Sequence, residues 1–583
     1  MGAVGIHAAL LPNGLVLFWY YPHPFDTGNS IGLLWNPVTN AITQENVPWP
    51  IDVFCAGSIM LPNGNVMVIG GKNDMGGSDS DEGLTNITIF DWATSTWQQG
   101  PAMTYGRWYP GDVELPNGDV LAVSGIDAGG WNLTQQIERF SWANQSWSIL
   151  PASANIALQT STYPRVIVTT DGNVFEAGQE LNNLSLNPNT NTWSTVTNAS
   201  IWPRFYGSSV LLPGLTQVLS VGGGLTDTDS RVATNSVSIM NYPSGGWVDG
   251  CGLNQPANTT CVPVTSGGPA PMSIQRENLN LVLLPDGTVM AEGGGQGCLA
   301  APCTGSYKYS NPVLYPEDYD PVANTWTPWS SQQVQRTYHS TALLLPDGRV
   351  VSAGSDNGTQ LTTLEVFSPP YLSAGSRPTI TSAPTSLSYG QQFTITTPNA
   401  ASISLVALIK AESTTHATRF DARYVTLACT AGSGQLTCTA PASGNVAPPG
   451  YYMLDVLMNG VPAVMPFVQV GSTGAPAVSF APGSLAFGSQ AVGTSSSAQV
   501  VTLSNTGSAA LSITGVNIGP DFAQTNNCGS TVAAGGSCTF NVTFTPTTLG
   551  TLNESLTVTD NASGSPQSVS LSGTGTAPAV TLS

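Results

Sequence analysis

Short apolar runs broken by tight turns recur along the chain, with little helical periodicity. A strand-like run, a turn built on Pro, Asn or Asp and Gly, and a second strand-like run come seven times. The turns are Leu11-Pro12-Asn13-Gly14, Leu61-Pro62-Asn63-Gly64, Leu115-Pro116-Asn117-Gly118, Thr170-Asp171-Gly172, Leu212-Pro213-Gly214, Leu284-Pro285-Asp286-Gly287 and Leu345-Pro346-Asp347-Gly348. Several second runs end in glycines, as at Gly70-Gly71, Gly222-Gly223-Gly224 and Gly293-Gly294-Gly295. A tryptophan follows most of them: Trp35, Trp97, Trp147, Trp193, Trp247 and Trp326.

Hairpins repeating every ~40–50 residues, most with an outer tryptophan, predict propeller blades. The chain therefore reads as all-β, with a seven-bladed Kelch-like β-propeller over residues 1–372. Phe367-Ser368-Pro369-Pro370-Tyr371-Leu372 closes the last repeat. A β-sandwich is expected over 373–471, and Gly471-Ser472-Thr473-Gly474-Ala475-Pro476 reads as a linker. The alternation Phe540/Val542/Phe544 and Leu556/Val558 makes 472–583 a second Ig-like β-sandwich.

Composition narrows the function classes. Of 583 residues 41% are apolar, enough for sizeable cores, and no run approaches the ~20 apolar residues of a membrane span. Only 8% are charged and the net charge is −20, which argues against nucleic acid or an anionic membrane as partner. No signal peptide is visible at Met1, so export would rest on a leader already trimmed. Eight of the nine cysteines form close pairs: Cys251/Cys261, Cys298/Cys303, Cys429/Cys438 and Cys528/Cys538. Each brackets a short loop, as local disulfides of an exported protein do; metal binding is the rival reading, although no histidine stands near them. Cys55 is left over, either a buried inert thiol or a chemically used one.

Matching offsets from the turns mark matching heights along the propeller channel. Seven residues before Pro62, Pro116 and Pro346 stand Cys55, Tyr109 and His339. The full rung is Gly5, Cys55, Tyr109, Tyr163, Tyr206, Asn278 and His339. Singly, a tyrosine at a strand start is ordinary packing and a buried cysteine is inert. A core-facing rung with this many polar groups is costly unless they are paired or used. Gly5 is expected to leave room for an ion. Tyr338 and His339 would face opposite sides of a regular strand, so the chain must bend there for both to reach one ion. His7 and His23 lie off the rung and read as structural or exposed.

Four segments resemble the site motifs of the copper radical oxidases, the galactose oxidase and glyoxal oxidase group. They are Phe54-Cys55-Ala56-Gly57, Gly106-Arg107-Trp108-Tyr109-Pro110, Arg336-Thr337-Tyr338-His339-Ser340 and Thr414-Thr415-His416-Ala417-Thr418-Arg419. Asn311-Pro312-Val313-Leu314-Tyr315 and the Arg-Trp-Tyr context are closer to the glyoxal oxidase branch. The resemblance covers residues 1 to about 471. It implies one copper ion held by Tyr109, Tyr338, His339 and His416, with Tyr109 joined to Cys55 by a thioether that carries a radical. Tyr338 would be the base that takes the substrate hydroxyl proton, and dioxygen would leave as hydrogen peroxide. The galactose oxidase tryptophan that stacks over the cross-linked pair is replaced here by Asp127; the nearest aromatic is Trp131. Trp108, Tyr163 and Tyr206 are candidate pocket walls. The last domain resembles those of the abnormal-spindle and HYDIN group, which implies a spacer or attachment role.

The expected function is a secreted or cell-surface copper radical oxidase acting on simple aldehydes or primary alcohols. One alternative is a galactose oxidase-like carbohydrate alcohol oxidase. Another, from a different class, is a non-catalytic Kelch propeller that binds glycans or protein.

Overall fold

The computed structural model describes residues 2–22, 29–73, 82–129, 132–155, 162–177, 183–196, 204–224, 233–243, 245–250, 267–297, 311–356, 360–471, 476, 478–505, 511–532, 536–562 and 564–578. Among them the structure is almost wholly β, and its helical segments are short 3-10 turns. Among the described residues no helix is long and apolar enough to cross a membrane. The chain divides into two compact units, Met1–Gly471 and Ser472–Ser583.

The first unit opens with antiparallel meanders in chain order. Gly57–Met60, Val66–Ile69, Ile87–Asp91 and Thr96–Gln99 form one such sheet, and similar sheets begin at Gly111–Glu114, Val166–Val168, Ser208–Leu211 and Glu277–Leu283. A sheet of three strands begins at Ser340–Leu344. Each first strand is buried along its length or nearly so, whereas last strands such as Thr96–Gln99 show one buried side chain, here Trp97, between exposed ones. The predicted turns explain the hairpins. Gly64 takes φ 86°, closed by its N–H on Leu61 O at 2.8 Å, a left-handed position that glycine tolerates. Outer tryptophans pin the connections: Trp97, Trp193 and Trp326 donate their ring N–H to Glu45, Ala154 and Ala270 carbonyls.

First strands of successive sheets are neighbours. Gly57–Met60 lies against Gly111–Glu114, which lies against Val166–Val168; Glu277–Leu283 lies between Ser208–Leu211 and Ser340–Leu344. Many-sheet meanders with adjoining inner strands are consistent with a β-propeller. Buried arginines brace individual sheets. Arg107 pairs with Glu138 at 3.1 Å and donates to Ser124 O; Arg276 pairs with Glu317 at 2.7 Å and donates to Gly293 O. The same glutamates accept the N–H groups of Thr104 and Ser273, and Glu365 accepts those of Gln333 and Val334. Removing one partner of such a pair would strand the other's charge in the interior, a cost of ~3–5 kcal/mol.

Residues 386–470 build a sheet ordered Ser386–Leu387, Phe467–Val470, Gly450–Met458, Leu405–Lys410, Tyr424–Thr426 and a smaller one of Gln392–Thr396, Gln435–Thr439 and Cys429–Gly432. The disulfide Cys429–Cys438 joins directly opposed residues of the last two strands. A hairpin, Ser413–Thr415 and Thr418–Phe420, leaves this region and adds to the edge of the chain's first sheet, beside His7–Leu10. The second unit holds a four-stranded and a five-stranded sheet around Leu503, Phe540, Val542, Phe544 and Leu556, with the disulfide Cys528–Cys538. Cys55 is free and buried. Cys251, Cys261, Cys298, Cys303 and His23 lie outside the described residues.

Candidate metal centre

The rung residues lie at the mouths of the inner strands, in a conformation the sequence does not announce. Cys55, Tyr109, Tyr163, Tyr206, Asn278 and His339 take φ of 51°, 61°, 50°, 57°, 57° and 65°. Left-handed backbone costs a non-glycine residue roughly 1–2 kcal/mol, so something must hold each one. Hydrogen bonds between sheets do so: Tyr109 N–H donates to Cys55 O at 3.0 Å, Tyr163 N–H to Tyr109 O at 2.8 Å, and Asn278 N–H to Tyr206 O at 2.7 Å. His339 O accepts Ser355 N–H at 3.0 Å, and Cys55 N–H finds His7 Nε2 at 3.1 Å. This is the bend that lets Tyr338 and His339 face the same centre; their rings lie 3.9 Å apart. Gly5 behaves otherwise than expected. A Cβ there would meet Ala353 Cβ and Phe18 Cδ1 at 3.0 Å, so its missing side chain admits packing from two other strands and leaves no space for an ion.

His416 arrives on the tip of the hairpin. His416 and Ala417 have φ of 49° and 63°, the pair of left-handed residues of a two-residue hairpin turn. The hairpin is anchored on three sides. Thr415 Oγ1 donates to Ile6 O at 2.8 Å, Ser413 Oγ to Ser58 O at 3.0 Å, and Ser208 Oγ to Ala417 O at 2.7 Å.

These elements bring together the five residues singled out by the motifs. Ligand atoms of Cys55, His339 and His416 all lie within 4.8 Å of one another, with Cys55 Sγ 3.3 Å from His416 Nε2 and 4.0 Å from His339 Nε2. The hydroxyls of Tyr109 and Tyr338 are 3.0 Å apart, and the imidazole centroids 4.5 Å. His416 Nδ1 donates to Thr415 Oγ1 at 2.6 Å, which leaves the Nε2 lone pair for the centre. His339 turns its Nδ1 toward Asp356, 3.9 Å away. Cys55 is fully buried, Tyr338, His339 and His416 nearly so, and Tyr109 half-buried.

Burial dominates the electrostatics. It pushes the Tyr109 phenol well above its ordinary value, with Cys55 and Tyr338 adding to the rise, and pushes the Cys55 thiol up as well. It holds His7 neutral, well below the usual imidazole value, and His339 adds to that. Acidic groups crowded in a dry site stay protonated unless a cation joins them.

The candidate walls divide. Trp108 lies against Tyr109, centroids 4.6 Å apart at 47°, and carries the Lys72 ammonium 5.0 Å above its ring. Tyr163 meets Tyr109 edge-on at 4.9 Å and His416 at 5.0 Å, while donating to Ala56 O. Tyr206 stands 6.2 Å from Tyr338. Asp127 turns its carboxylate to Gly129 N–H at 2.8 Å, a loop role. Trp131 lies outside the described residues. His7, expected to be structural or exposed, is fully buried against Cys55, and sequence reasoning passed over Thr415, Asp356 and Phe54, whose ring meets His339 edge-on at 5.3 Å. Thr415 sits within a quoted motif, and only its neighbour drew notice.

Comparison with known proteins places the chain among relatives. Residues 31–373 match the glyoxal oxidase N-terminus, 377–470 the galactose oxidase-like early set domain, and 476–574 the HYDIN/CFA65/VesB-like Ig-like domain. Galactose oxidase of Gibberella zeae is 28% identical over 498 residues, covering 79% of this chain and 68% of that protein. Aldehyde oxidase GLOX1 of Arabidopsis thaliana is 27% identical over 464 residues, covering 72% and 71%. Among solved structures, a fungal alcohol oxidase of the AA5 family in complex with copper superposes with a TM-score of 0.67 at 23% identity, covering 80% of this chain and 97% of that one. With more than half its length matched by one family description, and with the following segments matched by that family's early set domain and an Ig-like domain, the chain belongs to the glyoxal oxidase family.

Proposed function

We propose that this protein is a secreted copper radical oxidase that converts simple aldehydes, as their hydrates, or primary alcohols into oxidised products and hydrogen peroxide. The observation that carries the reading is the meeting of Cys55, His339 and His416 with the Tyr109–Tyr338 hydroxyl pair. Two imidazoles and two phenolic oxygens suit tetragonal Cu(II), and a cation would offset the burial that raises the Tyr109 phenol. The donor set therefore fits. Tyr109, Tyr338, His339 and His416 would hold the ion, and Cys55 would be joined to Tyr109.

Copper with the cross-linked tyrosine supplies one-electron redox chemistry when bound, with dioxygen as the final acceptor. The chain's own residues do the rest. Tyr338 takes the substrate hydroxyl proton at its Oη, which the Tyr109 hydroxyl at 3.0 Å holds in place. Tyr109, half-buried, meets the substrate carbon, and Trp108 and Tyr163 keep water from its ring. His416 stays in one tautomer through Thr415.

The surrounding architecture would be a seven-bladed propeller over 1–372, a β-sandwich over 373–471 that contributes His416, and a spacer or attachment domain over 472–583. Support for this reading comes from the run of antiparallel sheets in the first unit, the first of them extended by the hairpin. The disulfides suit export. A second reading, oxidation of a carbohydrate primary alcohol, is favoured by the similarity to galactose oxidase. Peroxide release from copper-treated protein, tested with methylglyoxal, glyoxal, glycerol and galactose, separates the two. Release with none of them, alongside protein that retains no copper, would leave the non-catalytic propeller standing.

A further inference from the structure

His7 belongs to none of the motifs above, yet it touches the centre from behind. It opens the chain's first strand, is fully buried, and lies parallel to Trp19 with centroids 5.0 Å apart at 9°. Its Nε2 accepts the N–H of Cys55 at 3.1 Å, so its proton sits on Nδ1. In register it opposes Thr415, the residue before His416, and its ring is 6.1 Å from the His416 ring. His7 thus joins the backbone of Cys55, through its ring, to the hairpin that carries His416, through its strand.

Packing alone does not explain a histidine here. His7 Nδ1 is buried with no hydrogen-bond partner among the described residues, a cost that a phenyl ring stacked on Trp19 would avoid. What a phenyl ring lacks is the acceptor for Cys55. Cys55 is a non-glycine residue at φ 51°, and its Sγ lies 3.3 Å from His416 Nε2. Without that acceptor, relaxation of the left-handed backbone would swing Sγ away from the centre.

We propose that His7 is the positioning residue for the Cys55–Tyr109 cross-link, holding the Cys55 N–H so that Sγ stays between Tyr109 and His416. This rests on the oxidase reading of the site. In the cross-linking step the Cys55 S–H and one ring C–H of Tyr109 break and an S–C bond forms. The two electrons and two protons go to dioxygen, which becomes hydrogen peroxide, so the chain loses two hydrogens. His7 is not consumed and neither gains nor loses a proton.

The test is a time course of intact mass on the full chain treated with copper and dioxygen, for wild type, His7→Gln and His7→Phe. Wild type loses two hydrogens; if it does not, the oxidase reading fails irrespective of His7. Gln, whose Oε1 reaches where Nε2 lies, keeps the acceptor and cross-links near the wild-type rate. Phe keeps the stack on Trp19 without the acceptor and slows the mass loss by about tenfold or more. If His7→Phe does not yield folded chain, His7→Leu takes its place with the same expectation. Wild-type rates in the acceptor-less variant, or a Gln variant as slow as Phe, overturn the proposal. A purely structural role predicts that inverse order, because only Phe preserves the ring.

Discussion

Thr415→Val isolates the buried support of one proposed copper ligand. Valine has nearly the shape of threonine, so the substitution removes a hydroxyl and little else. That hydroxyl does two things: it donates to Ile6 O at 2.8 Å and accepts His416 Nδ1–H at 2.6 Å. Thr415 is fully buried and His416 nearly so, and neither orphaned group gains easy access to water. Each stranded group costs ~1–3 kcal/mol, so the two together remove ~2–6 kcal/mol of stability. The second effect is on the ion. His416 loses the partner that fixes its tautomer and ring plane, and supports of this kind are worth about 10- to 100-fold in metal affinity. Competition against a chromophoric chelator measures the affinity, and denaturant unfolding of the copper-free chain measures the stability. Thr415→Ser, which keeps the hydroxyl, should recover most of both. A valine variant that loses stability but binds copper as tightly as wild type would refute the role assigned to Thr415.

Three further outcomes are expected. Tyr338→Phe should keep its copper but release peroxide ~10²–10⁴-fold more slowly, the usual worth of a positioned base; unchanged turnover would remove Tyr338 from that role. Gly57→Ala should destabilise by ~1–3 kcal/mol, because its Cβ would collide with Asp112 Oδ2 and fall 2.7 Å from Asp112 Cγ; an unaltered denaturation midpoint would contradict this. Asp455, raised by burial from 3.8 to about 8, stays protonated in the folded chain where the unfolded chain ionises it. Its share of stability is therefore full below the ordinary carboxylate value and is lost as pH rises toward 8. Asp455→Asn should flatten the fall of melting temperature with pH over that window, and an unchanged slope would count against it.

Much of this protein is local in origin. The Pro-Asn/Asp-Gly turns cause their hairpins wherever they occur, because glycine takes the left-handed position that closes each one, as Gly64 and Gly348 do. From those turns the offset of seven residues puts Cys55, Tyr109 and His339 at one height, and the contacts show them at one centre. The arginines ahead of the rung, as in Arg107-Trp108-Tyr109, Arg204-Phe205-Tyr206 and Arg276-Glu277-Asn278, were legible as a pattern too. In a chain with only 14 basic residues they were a signal left unread.

What no stretch of sequence determines is how these pieces meet. Gly5 looks like room for an ion until Phe18 and Ala353 are seen to fill the place of its side chain. The bend before His339 is a left-handed backbone at non-glycine residues, which local preference opposes. Ser355 on the same sheet holds it there, and at the other rung positions donors and acceptors on other sheets hold the same conformation: Cys55 by His7, Tyr109 by Cys55, Tyr163 by Tyr109. Those partners lie far apart along the chain, 48 residues for His7 and Cys55 and 409 for Thr415 and Ile6. Sequence by itself determined the strands, their turns and which side chains stand at the channel mouth. Only the closed tertiary arrangement decided which way those side chains point, because the hydrogen bonds that turn them inward exist only once the sheets and the hairpin have come together.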